Sequence, residues 1–170
     1  MIRSIARIAL LGTLGAVPCG AAELQPWRGG PAPALELRAL DGPTHRLVDY
    51  RGKVVLVNFW ATWCEPCRDE MPSMQRLKEK LAGRPFAVLA VNLDEPEARI
   101  RSFLTRMKVD FTVLLDPGRV AAKSWNARIL PASFVIGTDG KIRYGVVGEL
   151  DWGQDRVVSR VVELLPKAKQ

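Results

Sequence analysis

The sequence predicts an α/β domain in which a mixed central sheet is flanked by helices and preceded by an added β-hairpin. Three observations carry this prediction. Apolar runs at 53–60, 86–93 and 111–115 alternate with segments of helical period, an order that packs parallel strands between helices. Two further strand-like runs, within 132–147, are joined by Thr138-Asp139-Gly140, a hairpin turn that makes the end of the sheet antiparallel. Near the start, two short apolar segments flank Asp41-Gly42-Pro43, a second turn signal. A chain of 170 residues, 48% hydrophobic and 25% charged, has material for one core.

Residues 1–22 stand apart from that core. Arg3 and Arg7 mark a short basic region, residues 8–22 are uncharged and mostly small or apolar, and Gly20-Ala21-Ala22 offers a cleavage site before Glu23. This is the pattern of a secretory signal peptide. The alternative, an uncleaved membrane anchor, is disfavoured because the apolar stretch carries Pro18 and falls short of the roughly 20 residues that span a bilayer. Cys19 follows Pro18 rather than the small residue expected at a lipidation site. Residues 23–34, rich in Pro and Gly, read as an extended lead-in, and 35–166 as the folded domain.

Within that domain, 35–40 and 44–49 form the added hairpin. "KVVLVNFW" (53–60) is dense in β-branched and aromatic residues, as expected of a central strand buried on both faces. From 65 to 82 the period becomes helical, with Met71, Met74, Leu77, Lys78 and Leu81 on one side and Pro72 expected to bend the helix. "FAVLAVNL" (86–93) is a second buried strand, 96–107 an amphipathic helix, "FTVLL" (111–115) a third strand, and about 118–126 a short helix. After the 132–147 hairpin, a helix over about 152–165 sets Val157, Val158, Val161, Val162, Leu164 and Leu165 against the sheet.

The net charge of +7 is spread along the chain, as in "RLKEK" and "RIRSF". Nucleic-acid binding would need a clustered basic stripe, so the charge reads as a solvated surface. Of three cysteines, one lies in the leader and two, Cys64 and Cys67, lie in the domain. Export would bring this pair to a compartment where disulfides persist. A bridge spanning three positions closes too short a loop to restrict the unfolded chain much, so stability is a poor reason for it.

The chemistry open to the pair narrows by supply of partners. A closed zinc site needs about four ligands, and the domain offers these two thiols and the single histidine, His45. Haem attachment would need a histidine where Arg68 stands. A cysteine protease would need His45 as base, and a peroxidatic cysteine would need no partner at this spacing. A cycling dithiol fits both count and place. Cys64 falls at the start of a helix, where unpaired N–H groups and the macrodipole favour a thiolate. Cys67, one turn on, is within reach to resolve a mixed disulfide.

Glu65 lies between them, and its charge opposes a nearby thiolate, which should make the dithiol a better reductant. Pro66 suits an early helix position because the N–H it lacks would be unpaired anyway. Glu70 projects from roughly the same side as Cys67. From spacing alone it reads first as a solvated carboxylate in "RDE", with proton exchange with the dithiol as the second reading.

"VLVNFWATWCEPCRDEMP" together with "ILPASFVIGTDGKI" closely resembles the TlpA-like and ResA-like thiol-disulfide oxidoreductases of the thioredoxin superfamily, over about residues 33–165. The resemblance implies a thioredoxin-like fold and assigns Cys64 as nucleophile and Cys67 as resolving thiol. It implies a cis-proline at Pro131 facing the dithiol, with the backbone of Leu130 pairing an extended substrate and Trp63 supplying packing and substrate contact. It gives Glu70 an influence on thiol protonation. Trp60 reads as structural. Asn58 stands where ordinary thioredoxins carry a buried aspartate, as is usual in the TlpA-like branch, and Gly137 replaces a common aspartate.

The expected function is therefore reduction of protein disulfides in a bacterial periplasm, without a cofactor or resident metal. The expected partners are disulfide-bearing clients, such as apocytochrome c or copper-site proteins, and a membrane electron donor of the DsbD or CcdA type. No nucleic acid is expected, and the protein is expected to be a monomer. Two alternatives remain at this point: a disulfide oxidase or isomerase, and a copper or zinc chaperone that adds His45, a methionine or a partner's ligand to the two thiolates.

Overall fold

The computed structural model describes residues 22–167; the predicted leader, Cys19 included, lies outside the described residues apart from Ala22. The strands are β1 (Gln25–Pro26), β2 (Glu36–Arg38), β3 (Thr44–Arg46), β4 (Val54–Trp60), β5 (Phe86–Leu93), β6 (Thr112–Asp116), β7 (Ala132–Ile136) and β8 (Ile142–Val147). The helices are α1 (Glu65–Lys80), α2 (Glu97–Leu104), α3 (Val120–Ser124) and α4 (Asp155–Glu163). Six strands form one sheet in the order β1-β8-β7-β4-β5-β6. The pairs β4–β5 and β5–β6 are parallel, while β4–β7, β7–β8 and β1–β8 are antiparallel. This is the mixed sheet of a thioredoxin-like fold.

Every residue of β4 is buried, because successive side chains enter two different cores. Val54, Leu56 and Trp60 pack with Met71, Met74 and Leu77 of α1, Ile100 and Phe103 of α2, and Val157 and Val161 of α4. Val55, Val57 and Phe59 face the opposite side, with Ala121 and Ala122 of α3, Trp125, Leu35 and Leu47. Asn58 falls on the α1 side by the same alternation, so a polar side chain of β4 is delivered into a mostly apolar layer that also holds Glu70 and Ser73 of α1.

The added hairpin forms as a separate two-stranded sheet of β2 and β3. It joins the main sheet through a bridge between Ala39 and Leu114 and the Leu40 N–H donating to the Val113 carbonyl. Its second strand is shorter than the sequence predicts. Residues Leu47–Tyr50 turn into a 3-10 helix that buries Leu47, whose N–H donates to the Leu35 carbonyl. The predicted helix at 118–126 likewise divides into a 3-10 turn at Pro117–Arg119, inside which Gly118 lies in the left-handed region at φ 68°, and α3.

The lead-in is more structured than its composition predicts. Gln25 and Pro26 pair with Gly145 and Tyr144 at the sheet edge, a place where a strand tolerates proline. Trp27 packs edge-on against Phe134, with ring centroids 5.5 Å apart. Pro72 lies inside α1 on its exposed face, and its missing N–H leaves the Arg68 carbonyl without its helical partner.

At the β7–β8 turn, Gly140 has φ +78° and no atom within 3.5 Å of where a Cβ would stand. A side chain there is penalised by backbone conformation rather than by crowding. Gly140→Ala is expected to destabilise by about 1 kcal/mol, measured as a lower urea midpoint with unchanged slope.

Candidate active site

The turn after β4 brings two cysteines to the first turn of α1. Cys64 is the N-cap residue, in extended conformation, and its Sγ accepts a hydrogen bond from the Cys67 N–H at 3.3 Å. Glu65 and Pro66 occupy the first two helical positions and are exposed. The two sulfurs are joined in a disulfide with a Cα separation of 5.3 Å. Cys67 is fully buried, whereas Cys64 keeps 5% of its surface accessible. The pair is therefore asymmetric: the sulfur at the helix start is the one solvent and a partner can reach.

The Leu130–Pro131 peptide bond is cis. Because Phe59 pairs with Ala132, the chain entering β7 through these two residues runs beside the end of β4, where the turn to Cys64 begins. Pro131 is buried and Leu130 half-buried. Trp63, next to Cys64, is 58% exposed, so its ring is open to whatever approaches the dithiol.

Glu70 is 1% exposed, so the reading of it as a solvated carboxylate from spacing alone does not hold. One oxygen accepts from Asn58 Nδ2 at 2.7 Å and the other from the Leu150 N–H at 3.2 Å. Burial pushes its pKa up to about 7, and the donors from Leu150 and Asn58 oppose that rise only in part. The neighbouring Ser73 hydroxyl donates to the Glu70 carbonyl at 2.7 Å and accepts the Trp152 N–H at 3.0 Å, pinning the loop after β8 to α1. Glu70 and Cys67 thus share one side of the helix in a water-poor layer.

One contributor escapes sequence reasoning. Glu95, after β5, has a side chain only 5% exposed. It accepts from the Thr62 N–H at 2.7 Å, the Thr62 hydroxyl at 2.5 Å and Asn92 Nδ2 at 2.8 Å. It therefore clamps the turn two residues before Cys64. The sequence signal is faint, a carboxylate in the loop after a central strand. Glu95→Ala leaves part-buried donors without their acceptor and is expected to cost about 1 kcal/mol; urea unfolding measures this, and faster alkylation of the reduced Cys64 would report the loosened turn.

His45 lies on the added hairpin and its Nδ1 is 2.6 Å from the Tyr50 hydroxyl. Among the described residues, no group of three or more His, Cys, Asp and Glu side chains is arranged to hold a metal ion.

A solvent-reachable N-cap cysteine bonded to a buried one a turn later, on a mixed sheet with a cis-proline entering the neighbouring strand, defines a thioredoxin-fold dithiol oxidoreductase. The chain belongs to the AhpC/TSA family, whose pattern matches residues 29–145. It is similar to thiol-disulfide oxidoreductase ResA of Geobacillus thermodenitrificans, at 37% identity over 122 residues that cover 72% of this chain and 70% of the relative. It is as similar to the thioredoxin-like protein YneN of Bacillus subtilis, 37% identical over 125 residues covering 72% of each chain. Among solved structures, a candidate thiol:disulfide interchange protein DsbE from Chlorobium tepidum superposes with TM-score 0.74 at 31% identity, covering 84% of this chain and 99% of that one. A secreted thiol-disulfide isomerase from Corynebacterium glutamicum gives TM-score 0.69 at 26% identity, covering 78% and 85%. The protein is a thiol-disulfide oxidoreductase of the ResA and DsbE type.

Proposed function

We propose that the protein is an exported reductase of protein disulfides, working through the Cys64/Cys67 dithiol. The observation that supports this most directly is the asymmetry of the pair: Cys64 caps the helix and is reachable, and Cys67 lies fully buried beside Glu70. In the reduced protein the Cys64 thiolate attacks one sulfur of a client disulfide, forming a mixed disulfide and releasing the other client sulfur as a thiolate. Cys67 then gives its proton to the Glu70 carboxylate and attacks the Cys64 sulfur. That breaks the mixed disulfide, releases the second client thiolate and leaves the Cys64–Cys67 bond, with two electrons passed to the client.

Trp63, Leu130 and Pro131 would hold the client segment. Glu65 and Pro66 would set the balance of thiol and thiolate at the helix start, the charge of Glu65 favouring electron donation. The domain 35–166 would be carried behind a leader at 1–22 and a lead-in at 23–34 to a bacterial periplasm, as a monomer. A membrane donor of the DsbD or CcdA type would return it to the dithiol. Clients of fitting chemistry are apocytochrome c thiols oxidised before haem attachment and the cysteines of copper-site proteins. The secreted isomerase among the structural neighbours is in keeping with an extracytoplasmic setting.

The test is the reduction potential of the pair, from equilibration with defined thiol-disulfide buffers. A value below about −240 mV is expected, and one above about −180 mV would instead place the protein among oxidants and isomerases.

A further inference from the structure

From the hydrogen bonds around Glu70 we infer that Asn58 is a positioning residue for the proton step: through one amide group it ties Glu70 on α1 to Ser133 on β7. The inference rests on the dithiol reading above and extends it to residues that reading does not use. Asn58 Nδ2 donates to Glu70 Oε1 at 2.7 Å and to Ser133 Oγ at 2.8 Å. Asn58 and Ser133 are register partners across the β4–β7 pair, and Ser133 stands two residues after Pro131. All three side chains are nearly inaccessible, at 0%, 1% and 1%.

The arrangement uses both N–H groups of the amide as donors, while Oδ1 has no hydrogen-bond partner. A buried acceptor left unpaired is costly. The amide is thus oriented by what its nitrogen serves, and it serves the carboxylate. Turned the other way, Oδ1 would face Glu70 Oε1, a repulsive contact with the ionised form and a hydrogen bond only with the protonated one. Ser133 holds the nitrogen in place, so the state of the carboxylate is linked to the strand that carries the cis-proline. The titratable groups facing Glu70 are Cys67, one turn back on α1, and Glu149, in the loop after β8, whose charge opposes ionisation. From β4 it meets the neutral Asn58, which in turn is bonded to the neutral Ser133 of β7. The side chains that favour the ionised carboxylate are thus Asn58 and, from the loop after β8, Trp152; Asn58, at 2.7 Å, is the one that also reaches β7.

The test measures the pH dependence of the alkylation rate of the reduced dithiol, and of client reduction, in the full chain. The variants are Glu70→Gln, Asn58→Leu and the double substitution, with Ser133→Ala as a milder change that keeps Asn58. Asn58→Leu is expected to move the inflection due to Glu70 upward by about one unit, Ser133→Ala to move it the same way by less, and Asn58→Leu to add nothing once Glu70 is glutamine. An Asn58→Leu shift that persists undiminished in the Glu70→Gln background would overturn the inference, since Asn58 would then act on the thiols directly or on the fold. An unmoved inflection in folded Asn58→Leu would also overturn it. Should Asn58→Leu not fold, an unmoved inflection in Ser133→Ala decides against it. If Glu70→Gln itself leaves the profile unchanged, the proton role of Glu70 fails, and the inference fails with it. If that variant alone moves the profile, only the role of Asn58 is lost.

Discussion

Cys64→Ser is expected to reduce disulfide reductase activity to the uncatalysed background, and Cys67→Ser is expected to stop the cycle one step later, with the client held on Cys64 as a mixed disulfide. The difference follows from geometry. Serine at the N-cap still accepts the Cys67 N–H, so α1 keeps its cap, but it cannot attack a client disulfide at neutral pH. Serine at the buried position leaves the reachable Cys64 intact and removes only the group proposed to release the product. Unfolding does not explain either loss, because a bridge across three positions contributes only about 2 kcal/mol by loop closure. Insulin-disulfide reduction measures the first variant, and intact-mass detection of a Cys64-linked client the second. Full activity in Cys64→Ser would remove the mechanism, and trapping through Cys67 in its place would reverse the two roles.

What could be read in the chain beforehand followed from how local each signal was. The strands at 53–60 and 86–93 are long apolar runs, and burial on both faces requires such composition, so the structure finds them at Val54–Trp60 and Phe86–Leu93. The cysteine pair and its helix are one contiguous stretch, legible for the same reason. The edge pairing of Gln25–Pro26 was not, because two residues with a proline carry no strand pattern and the pairing depends on a partner more than 100 positions away. The segment after Arg46 turns into a 3-10 helix as Leu47 is buried and its N–H donates to the Leu35 carbonyl, a bond its own neighbours do not announce.

The site divides along the same line. Spacing places Glu70 beside Cys67, but whether a carboxylate in a charged run faces water or the core depends on what lies opposite. Here that is Asn58 on β4 and the Leu150 N–H, 12 and 80 positions distant. Glu95 reaches Thr62 across 33 positions, and its role becomes visible only once β4 and β5 lie side by side. The residues that carry the sulfurs are thus written locally, and the residues that hold them in place are written in the topology.

Glu70 also predicts how stability responds to pH, independently of any client. In the unfolded chain its carboxyl titrates near 4.5, and in the fold burial pushes it up to about 7. Between those values the folded protein keeps a proton that the unfolded chain has lost, so stability falls as pH rises through this window and then levels off. At about 1.4 kcal/mol per unit, the loss attributable to Glu70 is about 3 kcal/mol. Asp49 and Asp110 act in the opposite sense and at lower pH. Hydrogen bonds from Arg46 and Lys78 hold their carboxyls below the usual range, so their contribution is present above about pH 4 and lost on acidification. Urea unfolding of the oxidised protein from pH 4.5 to 8 should therefore show a decline that Glu70→Gln removes. The glutamine variant pays a constant cost, since its amide presents an N–H where the carboxylate offered a second acceptor, but its difference from wild type should change by about 3 kcal/mol across the window. Parallel curves would mean that Glu70 titrates as an ordinary carboxylate, already ionised well below neutrality. It would then be too weak a base to be well matched to the proton that leaves Cys67.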